Sequence, residues 1–240
     1  MYSVVILAGN EQAHIGSCIE SITPIADEVI VVDDYSHDDT PQIAYEMGAT
    51  VMQRALDNDW AQQRNFALDK VSNDWTFMID ADERLDDTGV ISLSDFSPAA
   101  DIRAASIGRS NYYKSKPLRY GRFSRNLQIK ALESSVRYQA ERPVHETPDV
   151  EDEEITKLNG NIEHFTYVSL GELFAKMKRY GEIEAQSGQR LDSNLSLFRS
   201  VKVAGYRLLV QQAYRDGLRG LIAIGAEMYG DYIAQHEATS

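Results

Sequence analysis

Asp80, Asp82 and Glu83 close an apolar run, Trp75-Thr-Phe-Met-Ile79, and their spacing is the chain's strongest local hint of chemistry. Carboxylates at i and i+2 on a turning backbone can converge on a hard divalent cation whose remaining ligands are substrate phosphate oxygens. That reading is a metal–diphosphate site. The competing reading is a solvated loop, because an Asp-x-Asp is cheap in a chain with 37 Asp and Glu among 240 residues. Asp33 closes a second apolar run, Glu28-Val-Ile-Val-Val, where a carboxylate can accept hydrogen bonds from ribose hydroxyls or a base N–H. Alternatively Asp33, Asp34, Asp38 and Asp39 make a turn and helix cap, the preferred reading for Asp38 and Asp39. Asp57 and Asp59 lack the glycine and distal glutamate of an EF-hand loop and read as surface charge.

Acids at strand ends do chemistry only if several strands end together, so the elements matter next. Tyr2-Ser-Val-Val-Ile-Leu7 is continuously apolar, as a central parallel strand buried on both faces must be. Gly9-Asn10 turns into a helix with Ile15, Cys18, Ile19 and Ile22 on one face, ended by Pro24. The Glu28–Asp33 strand follows, and Thr40-Pro41 predicts an N-cap and first helical position, with Gly48 as the stop. Thr50 to Arg54 predicts a short third strand. A helix bearing Trp60, Gln62, Gln63, Arg64 and Asn65 then precedes the strand that ends at Asp80. This fourfold alternation predicts an α/β fold, a doubly wound parallel sheet with right-handed crossovers and ligands at the strands' carboxyl ends.

Composition narrows the function classes. A formal net charge of −13 argues against nucleic acid as a partner, since phosphate backbones are held by clustered Lys and Arg. An anionic substrate must therefore meet a few placed cations or a metal. The single Cys18 excludes an internal disulfide framework and a multi-cysteine zinc site, and reads as core. No G-x-G-x-x-G and no G-x-x-x-x-G-K-[ST] occurs, which removes the main support for dinucleotide and P-loop chemistry. No signal peptide is expected before the first strand and no apolar run reaches membrane-spanning length, so a cytoplasmic location is expected.

Four ordered blocks carry a family resemblance: Ser3-Val-Val-Ile-Leu-Ala-Gly-Asn10-Glu11, Glu28-Val-Ile-Val-Val-Asp33-Asp-Tyr-Ser-His-Asp-Asp-Thr40, Ala61-Gln-Gln-Arg64-Asn65-Phe-Ala-Leu and Asp74-Trp-Thr-Phe-Met-Ile-Asp80-Ala-Asp82-Glu83. Together they resemble the nucleotide-sugar-binding half of a family 2 glycosyltransferase of the GT-A fold, specifically the small bacterial branch that extends lipopolysaccharide cores and other surface glycans. The resemblance implies a doubly wound, mostly parallel sheet with a small added mixed sheet and C-terminal helices. It implies that Leu7, Ala8, Asn10, Glu11 and Asp33 line the nucleotide pocket, that Arg64 faces the diphosphate, and that Asp80, Ala81 and Asp82 serve ribose and metal. The expected divisions are a donor half at 1–95, an acceptor half at 96–168 and a helical extension at 169–240.

After Asp82 the pattern changes to short strands, expected at 101–107, 126–132 and 136–138, with Asn111-Tyr-Tyr113 and Arg119–Phe123 as loops. Aromatic and Arg residues there either meet sugars and phosphate or pack a small core. Pro143-Val-His145-Glu146-Thr147 resembles the Val-His-Glu segment of the same branch. Inverting transfer needs a base near the acceptor hydroxyl; Glu146 is the choice, with His145 as base, orienter or metal ligand. His164 resembles a second histidine block of the family and is the reserve metal ligand beside Asp82 and Asp80. The implied activity is inverting transfer from a nucleotide-diphosphate sugar, most simply UDP-linked, to a glycan or lipid-linked acceptor with Mg2+ or Mn2+. A sugar nucleotidyltransferase is the runner-up, although the Ala8–Glu11 loop lacks its glycine-rich basic signature. A non-catalytic nucleotide- or glycan-binding protein is the other alternative.

Ser169 and Glu172 predict a capping box at the start of a helix. The stretch from Leu195 to Tyr232 predicts one or two further helices broken near Asp216-Gly217. Arg199, Lys202, Arg207, Arg215 and Arg219 alternate there with apolar side chains, a pattern that suits an anionic inner-membrane surface. Packing on the domain or on a second subunit, as a homodimer, is the alternative.

Overall fold

The first strand, β1 (Tyr2–Ala8), is buried along almost its whole length because parallel neighbours flank it on both edges. The computed structural model describes residues 2–113, 116–121, 126–142, 145–167, 170–186 and 193–237. In order follow α1 (Ile15–Ile22), β2 (Ala26–Asp33), α2 (Thr40–Glu46), β3 (Thr50–Gln53), α3 (Trp60–Leu68), β4 (Trp75–Asp80), β5 (Glu83–Leu85), α4 (Asp87–Ser94) and β6 (Ala104–Tyr113). Then come β7 (Lys116–Pro117), β8 (Asn126–Glu133), β9 (Tyr138–Arg142), β10 (His145–Pro148), β11 (Ile155–Tyr167), α5 (Leu170–Gln186), α6 (Ser193–Leu209) and α7 (Leu218–Glu237).

The strands β3, β2, β1 and β4 pair in that order, all parallel. Beyond β4 the same sheet continues through β8, β6, β11 and β5, with β8 antiparallel to β4 and β5 antiparallel to β11. β9 and β10 form a separate two-stranded sheet. Two apolar layers sandwich the parallel strands. Val4, Ile6, Phe77 and Ile79 face α1 and α2 residues such as Ile15, Cys18, Ile22 and Ala44. Val5, Val32 and Met78 face α3 through Ala61, Ala67 and Leu68. The alternation along each strand sends neighbouring side chains to opposite layers, so a continuous apolar run is required.

Local expectations need four corrections. Asp39, not Thr40, is the N-cap of α2; the Thr40 hydroxyl instead accepts the Glu11 N–H at 2.7 Å and tethers the first loop. Asp59 is more than surface charge, because its carboxylate caps α3 through the Gln62 N–H at 2.9 Å. Asn111, Tyr112 and Tyr113 extend β6 rather than forming a loop. The strand expected at 136–138 begins at Tyr138, Val136 lying in the preceding turn. The capping box at Ser169 lies outside the described residues.

The chain divides into two compact units, Met1–Arg109 with Leu127–Glu141 and His145–His164, and Ser110–Asn126 with Arg142–Val144 and Phe165–Ser240. In the second, α5 and α7 cross closely: a Cβ on Gly181 would stand 2.5 Å from the Gly230 carbonyl oxygen. Tyr113, Leu118, Leu173, Ala223 and Ala226 form its small core. The break between α6 and α7 falls at Ala213–Asp216, a 3-10 turn whose Asp216 carboxylate accepts the N–H groups of Arg119 and Tyr120, each at 2.9 Å. No helix among the described residues is long and apolar enough to cross a membrane.

Candidate active site

Register alone brings the sequence-predicted acids together. Ala8 pairs with Asp33 and Leu7 with Asp80, so β2, β1 and β4 end on one edge. The Asp34 N–H reaches the Ala8 carbonyl at 2.8 Å and the Ala81 N–H reaches the Leu7 carbonyl at 3.3 Å, carrying the ladder one residue past each acid. Asn10, at φ +58°, and Tyr35, at φ +48°, turn the loops beyond. The Asn10 side-chain oxygen accepts the His37 N–H at 2.9 Å while its own N–H donates to Ser36, so Asn10 braces two loops against each other. Glu11 is held through its N–H by Thr40.

Asp33 is fully buried. Its Oδ2 accepts the Ser36 N–H at 3.0 Å and the Gln53 amide at 3.4 Å, whereas Oδ1 has no hydrogen-bond partner among the described residues. A buried unpaired acceptor costs about 1–3 kcal/mol unless a ligand supplies the donor. That orphan oxygen suits a base N–H or a ribose hydroxyl.

Asp80 meets cations instead. Its Oδ1 lies 3.2 Å from Arg64 Nη2 and its Oδ2 lies 3.3 Å from Lys130 Nζ. Lys130 also reaches the wholly buried Glu83 carboxylate at 2.5 Å, and Glu83 in turn accepts the Asp80 N–H at 2.9 Å. Arg109 stands 2.8 Å from the other Glu83 oxygen, an ion pair whose alignment is too poor for a hydrogen bond. Burial by itself would raise the Asp80 carboxyl, but Lys130 and then Arg64 outweigh it and hold the group well below the usual carboxylate range.

Arg64 sits on α3, whose inward positions are Ala61, Gln63, Arg64, Ala67 and Leu68. Two polar side chains on a buried face need partners. Gln63 exchanges hydrogen bonds with Arg54, its amide donating to the Arg54 carbonyl at 2.9 Å. Asn65 clamps the start of β9, donating to the Tyr138 carbonyl at 2.9 Å and accepting its N–H at 2.8 Å. The Tyr138 ring then lies 5.5 Å from the Arg64 guanidinium, and burial pushes the Tyr138 phenol up to about 12 against the pull of Arg64. Arg64 Nε donates to Glu146 on β10 at 2.9 Å, so a single guanidinium spans Asp80 and Glu146. Burial disfavours its charge, yet Asp80, Tyr138 and Glu146 together keep it firmly protonated.

Asp82 faces His164, whose Nε2 is 3.1 Å from the Asp82 Oδ2. His164 lies within β11 rather than at a strand end, opposite Glu83 of β5, and that pairing brings the ring to the acid. Burial lowers the His164 pKa despite Asp82, which favours the neutral imidazole. His145 opens β10, but its side chain lies outside the described residues.

Residues 3–146 match the family described as Glycosyl transferase family 2. The lipopolysaccharide core biosynthesis glycosyltransferase LpsC of Rhizobium meliloti (strain 1021) is 31% identical over an alignment covering 78% of this chain and 73% of its own. The chain belongs to glycosyltransferase family 2. An uncharacterized glycosyltransferase of Rickettsia felis (strain ATCC VR-1525 / URRWXCal2) is also 31% identical, across 82% of this chain and 73% of its own. Among solved structures, glucosyl-3-phosphoglycerate synthase from Mycobacterium tuberculosis, in complex with phosphoglyceric acid, is similar over 73% of this chain and 75% of its own, at 21% identity and a TM-score of 0.48. The transferase's mixed sheet around β3-β2-β1-β4 is a GT-A arrangement, and its carboxyl edge carries the acids.

For a family 2 transferase the donor set can be tested against a divalent cation. Among the described residues no three His, Cys, Asp or Glu side chains cluster as a complete metal site. Asp80 already carries a cation on each oxygen. Asp82 and His164 form a carboxylate–imidazole pair, a donor chemistry that fits an ion whose other ligands come from a diphosphate. Sequence reasoning named Glu83 only as the third acid of the Asp80 stretch and did not place Lys130 or Arg109 in this site. The available signal was Lys130 itself: a lysine in the strand Asn126–Glu133, just before the buried Ala131 and Leu132, demands a buried acid.

Proposed function

We propose that this glycosyltransferase inverts an anomeric centre, moving a sugar from a nucleotide diphosphate, most simply UDP, to a hydroxyl of a glycan or lipid-linked acceptor in surface-polysaccharide synthesis. One observation carries the proposal: Arg64 joins Asp80, at the end of β4, to Glu146, the candidate base. The donor lies along the carboxyl edge, its base or ribose meeting the orphan oxygen of Asp33 and its diphosphate meeting Arg64. Mn2+ or Mg2+ held by Asp82 and His164 would neutralise charge on the departing diphosphate, and the imidazole nitrogen favours Mn2+. Glu146 takes the acceptor's proton while that oxygen attacks the anomeric carbon. The bond to the diphosphate breaks and the nucleotide leaves with the electron pair.

The test combines two variants with one readout, UDP release from UDP-sugars in the presence of Mn2+ and a panel of glycan acceptors. Asp82→Asn is expected to abolish transfer, and Glu146→Gln to lower it roughly 10²–10⁴-fold while both proteins still melt cooperatively. Undiminished turnover of either variant removes its residue from the mechanism.

A lipid-linked acceptor fits a second feature, in the second unit. Leu209 and Leu218 are 71% and 72% exposed, and Val210, Tyr214 and Leu221 are exposed beside them in sequence. Lys202, Arg215 and Arg219 alternate with these residues, whereas the whole chain is strongly acidic. This chemistry suits the face of an anionic bilayer on the cytoplasmic side. Flotation with vesicles of anionic but not zwitterionic lipid is the expected result. A concentration-dependent dimer with no flotation would assign the same face to a second copy.

A further inference from the structure

Arg64 holds two acids of unequal need. Asp80 keeps Lys130 on its other oxygen and its own backbone N–H on Glu83, so it does not depend on Arg64. Glu146 is different: Arg64 is its charged partner among the described residues, bonded through Nε at 2.9 Å, and the Glu146 side chain is only 15% exposed. The Oε1 of Glu146 is thereby turned toward a cation rather than toward an acceptor hydroxyl. The same guanidinium is also the group assigned to the donor's diphosphate in the function proposed above, on which this inference rests. Tyr138 packs 5.5 Å from the guanidinium, and buried Gln63 and the two Asn65 bonds to Tyr138 fix the helix that carries it. Arg64 can therefore redirect its N–H groups without moving its backbone.

We propose that Arg64 is an exchangeable clamp, shared between Glu146 and the donor's diphosphate. Without donor it holds Glu146 out of use. An arriving diphosphate, with more charge and more acceptor oxygens than one carboxylate, draws the guanidinium away and frees Glu146 for the acceptor. Lys130 keeps Asp80 compensated throughout the exchange. Glu146 and the diphosphate are then competitors for one cation. By linkage, whatever the Glu146 charge costs the diphosphate, the diphosphate costs the Arg64–Glu146 contact.

The test is a double-mutant cycle read by calorimetric binding, not turnover. Inorganic pyrophosphate and UDP, each with Mn2+, are titrated into wild type, Glu146→Gln, Arg64→Gln and the double variant. Glu146→Gln is expected to bind both probes about five-fold tighter or more, and that gain is expected to vanish in the Arg64→Gln background. A gain of equal size in both backgrounds would mean simple removal of negative charge, and no gain would mean that Glu146 does not compete; either result overturns the clamp while leaving the proposed function in place. Carbodiimide labelling followed by mass spectrometry gives a second readout in the wild-type protein. Adding pyrophosphate with Mn2+ should raise labelling of Glu146, and unchanged or reduced labelling counts against release. If no variant binds either probe, the clamp and the donor-site reading both fall.

Discussion

Two acidic strand ends lie on the same edge of one parallel sheet, on either side of β1, yet they are built oppositely. Asp33, closing β2, is fully buried among neutral donors, with one oxygen left unpaired. Asp80, closing β4, is partly exposed and carries a cation on each oxygen, with Glu83, Lys130 and Arg109 beneath it. The sequence pattern of the two ends is the same, an apolar run followed by acids, so the difference arises from what the rest of the fold delivers to each. At β2 the described residues supply the Ser36 N–H and the Gln53 amide, both neutral donors. At β4 the added strands β8 and β6 bring Lys130 and Arg109, and the site manages charge internally. Under the proposed function the β2 end meets the nucleoside and the β4 end meets the diphosphate.

If that contrast holds, the two ends must fail differently. Lys130→Met removes the cation shared by Asp80 and the buried Glu83, leaving uncompensated charge in the interior. Breaking one side of such a pair costs about 3–5 kcal/mol, and the loss is expected in the free energy of chemical unfolding. A change below about 1 kcal/mol would mean that Arg109 and Arg64 suffice, and the charge-managing reading of β4 would be lost. Asp33→Asn should act the other way round. The fold keeps a carbonyl oxygen for the Ser36 N–H, so stability should hold, while loss of a charged acceptor should weaken UDP binding about ten- to a hundredfold. A variant that unfolds early but binds UDP normally would make Asp33 a structural residue and erase the comparison.

The parallel half of this comparison was legible in the sequence because strands buried on both faces leave an unmistakable apolar run, and register then places Leu7, Ala8, Asp33 and Asp80 on one edge. The family blocks added Arg64 and Glu146. The charge cluster was not legible. Lys130 lies 47 positions from Glu83, and Arg64 lies 82 from Glu146, distances at which spacing says nothing about contact. The β6 extension was hidden for a different reason: Asn111 is a buried polar residue that breaks the apolar alternation, so Asn111–Tyr113 reads as a loop although Tyr113 is buried too. The contact of His164 with Asp82 was not legible either, since only the pairing of β11 with β5 turns His164 toward that acid.

The smallest expected effect sharpens the β2 end. Tyr35 follows Asp33 and Asp34, with φ at +48°, a left-handed conformation in which a bulky side chain clashes with its own backbone. The conformation is fixed by its neighbours: the Ser36 N–H binds Asp33, the Ser36 hydroxyl binds the Asn10 N–H, and the His37 N–H binds the Asn10 side chain. Those bonds all belong to the loop that follows Asp33, so the chain tolerates strain there to hold that loop in place. Glycine adopts the same φ without the clash, at the cost of a floppier unfolded chain. Tyr35→Gly is therefore expected to stabilise the protein by about 1 kcal/mol or less in chemical unfolding. Because Tyr35 is 53% exposed and the bonds that hold the loop are made by its neighbours, the same variant is expected to bind UDP no better than wild type. A glycine variant that is both more stable and a tighter binder would show that the strain serves neither the fold nor the donor, and the β2 end would lose its claim to be shaped for recognition.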